Sequence, residues 1–345
     1  MATENEELIS LEDLDPEAWN DYAEARGWGD GFPLVAPTET AVQNFVDCAG
    51  GDNRPLPALP PRQVIPTLPS LAANAVMAGC RPEYFPVVLA GVRSVTNPDY
   101  NLHGSLATTH PCTNMMLVSG PICDELSINY SSNCFGQGHR ANASIGRALQ
   151  LIMKNLGGAT PGTMDRSTQG SPAKFTFCFG ENEAESPWEP YRIRQGFSTD
   201  DSVVTTMAAE GPHNINDHAS TSGEGLVVTM ANTIATAGAN TLKGKGPYFV
   251  IIGPEHAQTM ARDGWTIPHL QEAFHERSKV PVARVSRENQ KSFEEQDVPM
   301  RNGYYYHAPS PEFVHVLVAG GPGKHSAFIP SFGGTAAPST KILRR

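Results

Sequence analysis

The sequence predicts an α/β fold, a layered mixed sheet with helices, in which strand-end Gly-Pro loops form the site. Three observations carry this. Four apolar runs of strand length end at glycine turns that lead straight into reactive side chains: Phe175–Phe179 before Gly180-Glu181, Val203–Ala209 before Glu210-Gly211-Pro212-His213, Tyr248–Ile252 before Gly253-Pro254-Glu255-His256, and Val314–Ala319 before Gly320-Gly321-Pro322-Gly323-Lys324-His325. A fifth run, Met115–Val118, ends at Gly120-Pro121 without such a residue. Helical patterns alternate with these runs from residue 110 onward, which is the order of a layered α/β protein. Third, 32 Gly and 29 Pro among 345 residues leave much of the chain to turns and loops around modest elements.

In chain order, Asp15 as N-cap and Pro16 at the first helical position open a helix whose apolar face holds Trp19, Tyr22 and Ala23 and which runs to about Arg26. Gly29-Asp30-Gly31-Phe32-Pro33 breaks it. Six prolines between Arg54 and Ser70 exclude a regular helix or central strand, so this segment reads as an extended arm that packs over a neighbouring subunit. Leu71–Gly79 is a small-residue helix stopped by Gly79, and Pro82 starts another that runs toward Val95. Ala141–Leu156 is strongly amphipathic, with Ile145, Leu149, Ile152 and Leu156 on one stripe and Gly157-Gly158 as its stop. Thr221-x-x-Glu224 matches a capping box ahead of a helix over Leu226–Ala237, and a further helix lies within Pro268–Ser278. No tandem repeat of fixed period is present. The domain reading is an N-terminal helix and Pro-rich arm over 1–70 and an α/β catalytic region over 71–345, with 71–200 and 201–345 as its candidate subdomains.

The formal charge of −11 excludes a nucleic-acid surface, which needs clustered Lys and Arg to replace counterions. No apolar stretch reaches bilayer length, and the acidic start Met1–Asp13 lacks the basic and apolar regions of a signal peptide, so the expected location is cytoplasmic, without a membrane partner. Cys48, Cys80, Cys112, Cys123, Cys134 and Cys178 form no Cys-x-x-Cys pair and read as reduced thiols. The expected partners are an anionic small-molecule substrate and further copies of the chain in a homo-oligomer.

Four strings, Gly29-Asp30-Gly31-Phe32-Pro33, Met77-Ala78-Gly79-Cys80-Arg81-Pro82-Glu83-Tyr84-Phe85-Pro86, Arg140-Ala141-Asn142-Ala143-Ser144-Ile145-Gly146-Arg147-Ala148 and Glu210-Gly211-Pro212-His213-Asn214-Ile215-Asn216-Asp217-His218, span most of the chain. Together they resemble a bacterial family associated with (seleno)proteins that carry a UGSC motif. The resemblance implies an enzyme, with thiol chemistry as one option, and names no reaction; this chain has no Gly-Ser-Cys triplet of its own.

Glu210–His218 is the densest polar cluster, with two imidazoles, two amides and two carboxylates. His213 and His218 share a divalent transition metal such as zinc only if the segment folds into a turn, with His256 or Cys112 completing the set; otherwise the imidazoles are acid/base groups or struts. Cys80 precedes Arg81 and the helix at Pro82, both of which favour a thiolate and make it the candidate nucleophile. Gly136–Asn142 leads into the amphipathic helix, so its N–H groups, Asn142 and Arg140 or Arg147 suit a carboxylate better than a nucleotide. His110, held extended before Pro111, and His325 are further candidate bases. Arg81, Asn214, Asn216 and Lys324 complete the substrate-binding candidates. In the acidic stretch Glu181 to Glu189, Glu181 or Glu183 enters the site only if the strand end points inward.

The expectation is an enzyme on a small carboxylate-bearing substrate, of lyase or hydrolase type, using His or metal and a reactive Cys. A thiol oxidoreductase centred on Cys80 and a non-catalytic anion-binding or assembly subunit are the alternatives.

Overall fold

The structure is a computed structural model that describes residues 15–52 and 54–344, so the acidic start and Arg345 lie outside the described residues. About 40% of it is helix and 15% strand, in mixed sheets packed against helices, which makes the fold α/β as the sequence predicts. The strands are β1 (Thr113–Ser119), β2 (Cys178–Gly180), β3 (Val203–Ala209), β4 (His213–Asn216), β5 (Tyr248–Ile252), β6 (Val280–Pro281), β7 (Met300–Arg301), β8 (Tyr304–Tyr305), β9 (Val314–Val318), β10 (His325–Ile329) and β11 (Ser339–Lys341). They form two four-stranded sheets, ordered β11-β3-β1-β2 and β4-β10-β5-β9, and a small sheet β6-β8-β7.

The two large sheets lie face to face between two helical layers. The alternation of side chains along a strand shows this directly. In β1, Met115 and Leu117 join Phe249 and Ile251 of β5 in a core between the sheets. Met116 and Val118 point the other way, into a core with the helices Leu68–Met77, Phe85–Val95 and Arg140–Ile152. Tyr248, Val250 and Ile252 of β5 face the helices Gly223–Ile234, Pro254–Arg262 and Ile267–Arg277. Strands buried on both faces read as unbroken apolar runs, which is why β1, β3, β5 and β9 stand out in the sequence.

Both sheets share one topology. In the first, β1 is parallel to β2 and antiparallel to β3; in the second, β5 is parallel to β9 and antiparallel to β10. The fourth strand of each is exchanged: β4, which follows β3, pairs antiparallel with β10, and β11, which follows β10, pairs antiparallel with β3. The repetition has no fixed period because the connections differ. The short helix Ile122–Glu125, the helix Arg140–Ile152 and a long loop link β1 to β2, whereas two helices and the β6-β8-β7 insert with its own helix Arg287–Glu295 link β5 to β9.

Local differences from the sequence reading have physical causes. Thr67 and Ser70 form a reciprocal capping box, so the helix read as starting at Leu71 starts at Leu68 with Pro69 in its first turn, where a missing N–H costs nothing. Ser222, not Thr221, caps the Gly223–Ile234 helix by accepting from Gly225 N–H. The Pro-rich segment turns back on its own chain: Arg62 donates from its backbone N–H to the Gly157 carbonyl and from its guanidinium to the Asn155 carbonyl, and Leu59 is fully buried. No helix among the described residues is long and apolar enough to cross a membrane.

Candidate functional site

Glu210–His218 is a strand entry rather than a closed turn. Strand β4 is antiparallel to β10, with His213 opposite Phe328 and Asn216 opposite His325. Residues two apart share a face, so Asn214 and Asn216 point away from His213 and Ile215. Asn214 Oδ1 accepts from His325 Nδ1 at 3.0 Å, and His325 Nε2 lies 3.2 Å from His218 Nε2, the two rings meeting nearly edge to face. Both imidazoles are exposed.

The pair stands beside a cavity of about 350 Å³ between the Gly320–Gly323 loop and the segment Ser132–Phe135, with Asn214 and His325 in its wall. Close approach fixes this loop: a Cβ on Gly321 would overlap Ser132, and one on Gly253 would overlap the His325 carbonyl. Glu255 accepts from Gly323 N–H at 2.7 Å, and Gly320 donates to the Tyr130 carbonyl. Lys324 Nζ donates to the His218 carbonyl at 3.2 Å.

His256 is buried behind the pair. Its Nε2–H donates to the Asp217 carbonyl at 3.0 Å, and its Nδ1 accepts from Ser326 Oγ at 2.8 Å while that oxygen accepts from Gly253 N–H. Burial lowers its pKa against the opposing pull of the Asp217 carbonyl, which leaves a neutral strut between three loops. Asp217 itself sits at about 2: burial works to raise it and is outweighed by hydrogen bonds from the Thr229 hydroxyl and from the N–H and hydroxyl of Ser220.

The metal set His213, His218 and His256 is therefore not assembled. Among the described residues no three His, Cys, Asp or Glu side chains come together as a ligand group. His213 faces away on its strand, and both nitrogens of His256 are already bonded.

Cys80 also departs from expectation. Its sulfur is buried in the helical core, and burial pushes the thiol up to about 12 despite the Ser144 hydrogen bond and the Arg140 and Arg147 charges, which pull the other way. Arg140 is exposed, with Nε donating to the Gly79 carbonyl at 2.9 Å at a helix start that no side chain caps. Arg81 is exposed, 3.9 Å from Glu83. Asn142 is no ligand group: it is buried and clamps the preceding loop through Asn129 N–H, the Asn129 carbonyl and the Cys134 carbonyl. Arg147 is likewise committed, gripping Asp30 through two 2.7 Å hydrogen bonds and reaching the Phe32 and Pro33 carbonyls.

His110 stands apart from the pair, its Nε2 2.9 Å from Glu210 Oε1 and its Nδ1 buried without a partner among the described residues. Glu181 does point inward: it accepts from Ser119 Oγ and Tyr191 N–H at 2.7 Å each, and burial raises it to about 7. A larger cavity, between the Gly29-Asp30 loop and residues 159–175, had no sequence signal beyond Asp30 and Cys112, because its walls come from segments far apart in the chain. No family model matches the chain, and no curated protein matches it.

Proposed function

We propose that the chain is an enzyme that cleaves or rearranges a carbon–heteroatom bond in a small carboxylate-bearing substrate, with the His218–His325 pair handling the proton. The observation that carries this reading is the 3.2 Å approach of two exposed imidazole nitrogens beside a cavity. A hydrogen bond between them needs one protonated and one bare nitrogen, so the pair offers an acid and a base side by side. Asn214, accepting from His325 Nδ1–H, leaves His325 Nε2 bare and makes His218 the donor. Lys324, tied to the His218 carbonyl, supplies positive charge for the substrate carboxylate. The test is incubation with a panel of small hydroxy, amino and oxo acids read by mass spectrometry. At least one acid is consumed, and His218→Gln and His325→Gln slow that reaction by about a hundredfold or more. Full activity in both variants contradicts the role of the pair, and consumption of no acid by the wild type contradicts the proposal and favours a non-catalytic binding subunit.

A second reading rests on the same spacing. Two nitrogens bound to one tetrahedral zinc at about 2.0–2.1 Å stand about 3.3 Å apart, close to the separation here, and a carbonyl on the far ring nitrogen is the usual outer partner of a ligating His. In this reading His218 and His325 hold a divalent ion such as zinc, which would polarise a substrate oxygen. Zinc titration followed by elemental analysis separates the two: both His→Gln variants lose the metal, whereas His213→Ala keeps it. Thiol chemistry at Cys80 has no comparable support, since its sulfur is buried and its pKa raised.

A further inference from the structure

A second cavity encloses about 660 Å³ and shares no lining residue with the cavity of the His pair. Its volume falls within the range of small-molecule sites. Leu106, Leu151, Met153, Pro161, Pro172 and Phe175 supply apolar walls, and Gly29 and Asp30 form one edge. Phe175 also meets Phe32 of that loop edge to face, at 4.8 Å between ring centres. The Gly29-Asp30 edge is held in place by Arg147 of the Arg140–Ala148 string through its pair with Asp30, so both strings, unused by the His pair, bear on this site.

Nearly every polar group on its wall is satisfied within the protein. Lys174 Nζ donates to Asp165, to Ser167 Oγ at 3.0 Å and to the Cys112 carbonyl at 3.1 Å, which uses all three of its protons. Ser167 is bonded to Asp165, and the Cys112 thiol donates to the Ser105 carbonyl. Gln150 and Asn114 bond each other, and Asn114 also accepts from Tyr100. Two groups remain. Ser171 Oγ is buried without a hydrogen-bond partner among the described residues. Lys154 Nζ bonds only the Gly27 carbonyl, and among the described residues it has no carboxylate in ion-pair contact.

The charges lead to the same place. Asp165 is paired with Lys174 and Asp30 with Arg147, so Lys154, which feels Asp30 only at a distance, is the cation on this largely apolar wall without a direct ion pair among the described residues. A buried hydroxyl without a partner and a half-buried cation without a direct ion pair each carry a cost that an incoming anion reduces.

We infer that this cavity is a second small-molecule site, which takes an organic monoanion with an apolar body, an arylalkyl carboxylate being the simplest example. The carboxylate meets Lys154 and the Ser171 hydroxyl, and the apolar body lies against Leu151, Met153 and Phe175.

The test uses the whole chain and two isosteric probes, phenylacetate and the neutral phenylacetamide, in calorimetric titrations. Phenylacetate binds saturably and phenylacetamide at least about tenfold more weakly, the difference expected for a charge-assisted hydrogen bond. Lys154→Gln removes that preference and Lys154→Arg keeps it, while Ser171→Ala weakens both probes. His325→Gln leaves phenylacetate binding unchanged, which keeps this site separate from the proposed catalytic pair. Absence of saturable phenylacetate binding up to about 10 mM, equal affinity for the two probes, or an undiminished preference in Lys154→Gln overturns the inference. Should Lys154→Gln fail to fold, the two probes and Ser171→Ala decide the question.

Discussion

At Cys80 the adjacent Arg81 and the helix start favour a thiolate, yet the folded chain places the sulfur in the helical core and pushes its pKa to about 12. Sequence neighbours were legible; the side chains closing over them from the Arg140–Ile152 helix were not. Cys48 is only partly buried, whereas Cys80, Cys112, Cys123, Cys134 and Cys178 are buried. Limiting iodoacetamide on native protein is therefore expected to label Cys48 first and Cys80 only after unfolding, read by peptide mapping. Native labelling of Cys80 ahead of Cys48 contradicts this burial. At Glu181 the sign is opposite to that of an ordinary salt-bridged carboxylate. Burial raises its pKa from 4.5 to about 7, so the folded chain holds a proton that the unfolded chain releases. Its stabilisation is complete below 4.5 and is lost as pH rises through 7. Glu181→Gln should accordingly gain thermal stability relative to wild type on going from about pH 5 to about pH 8. A difference in Tm that does not change with pH would contradict it.

Among the elements, buried strands bounded by Gly-Pro were legible because both their faces are apolar. Strands β4, β10 and β11 were not: β4 alternates polar residues around one buried Ile215, β11 is three residues long, and β10 follows a glycine loop that reads as an exit. The strand-end His loops were legible as the site, but not which imidazoles meet there, since the contact of His325 with Asn214 exists only through the pairing of β4 with β10. Helix starts carry their own test. Ser222→Ala removes the hydroxyl that accepts from Gly225 N–H and should cost about 1 kcal/mol in urea unfolding. Gly253→Ala is expected to be worse, about 2 kcal/mol or more, because its Cβ overlaps the His325 carbonyl and backbone cannot rotate aside as a side chain can. A neutral Gly253→Ala would show that the loop is not held closely against β10.

Across the whole molecule, three buried imidazoles among the described residues, and the half-buried His315, have lowered pKa values. Burial lowers His256 and His275 and takes His307 to about 3 and His315 to about 4. The unfolded chain binds these protons near 6.5 and the folded chain does not, so stability falls as pH drops below 6.5 and continues to fall toward the folded values. Tm should decline steadily from neutral pH toward about pH 4 in spite of the opposite contribution of Glu181. Topology matters to the site in the same way. Strand β4 continues from β3 of one sheet and crosses to β10 of the other, and that exchange carries Asn214 and His218 to His325. The alternation of elements revealed the class of fold, while the exchange of fourth strands depends on pairings between residues more than a hundred positions apart. The most direct measurement of the resulting pair is long-range proton–nitrogen NMR of the imidazoles in wild type and His218→Gln. His325 should carry its proton on Nδ1, and its Nε2 signal should shift when His218 is replaced. A proton on Nε2 of His325, with ring signals indifferent to the loss of His218, would contradict the pair and the function proposed from it.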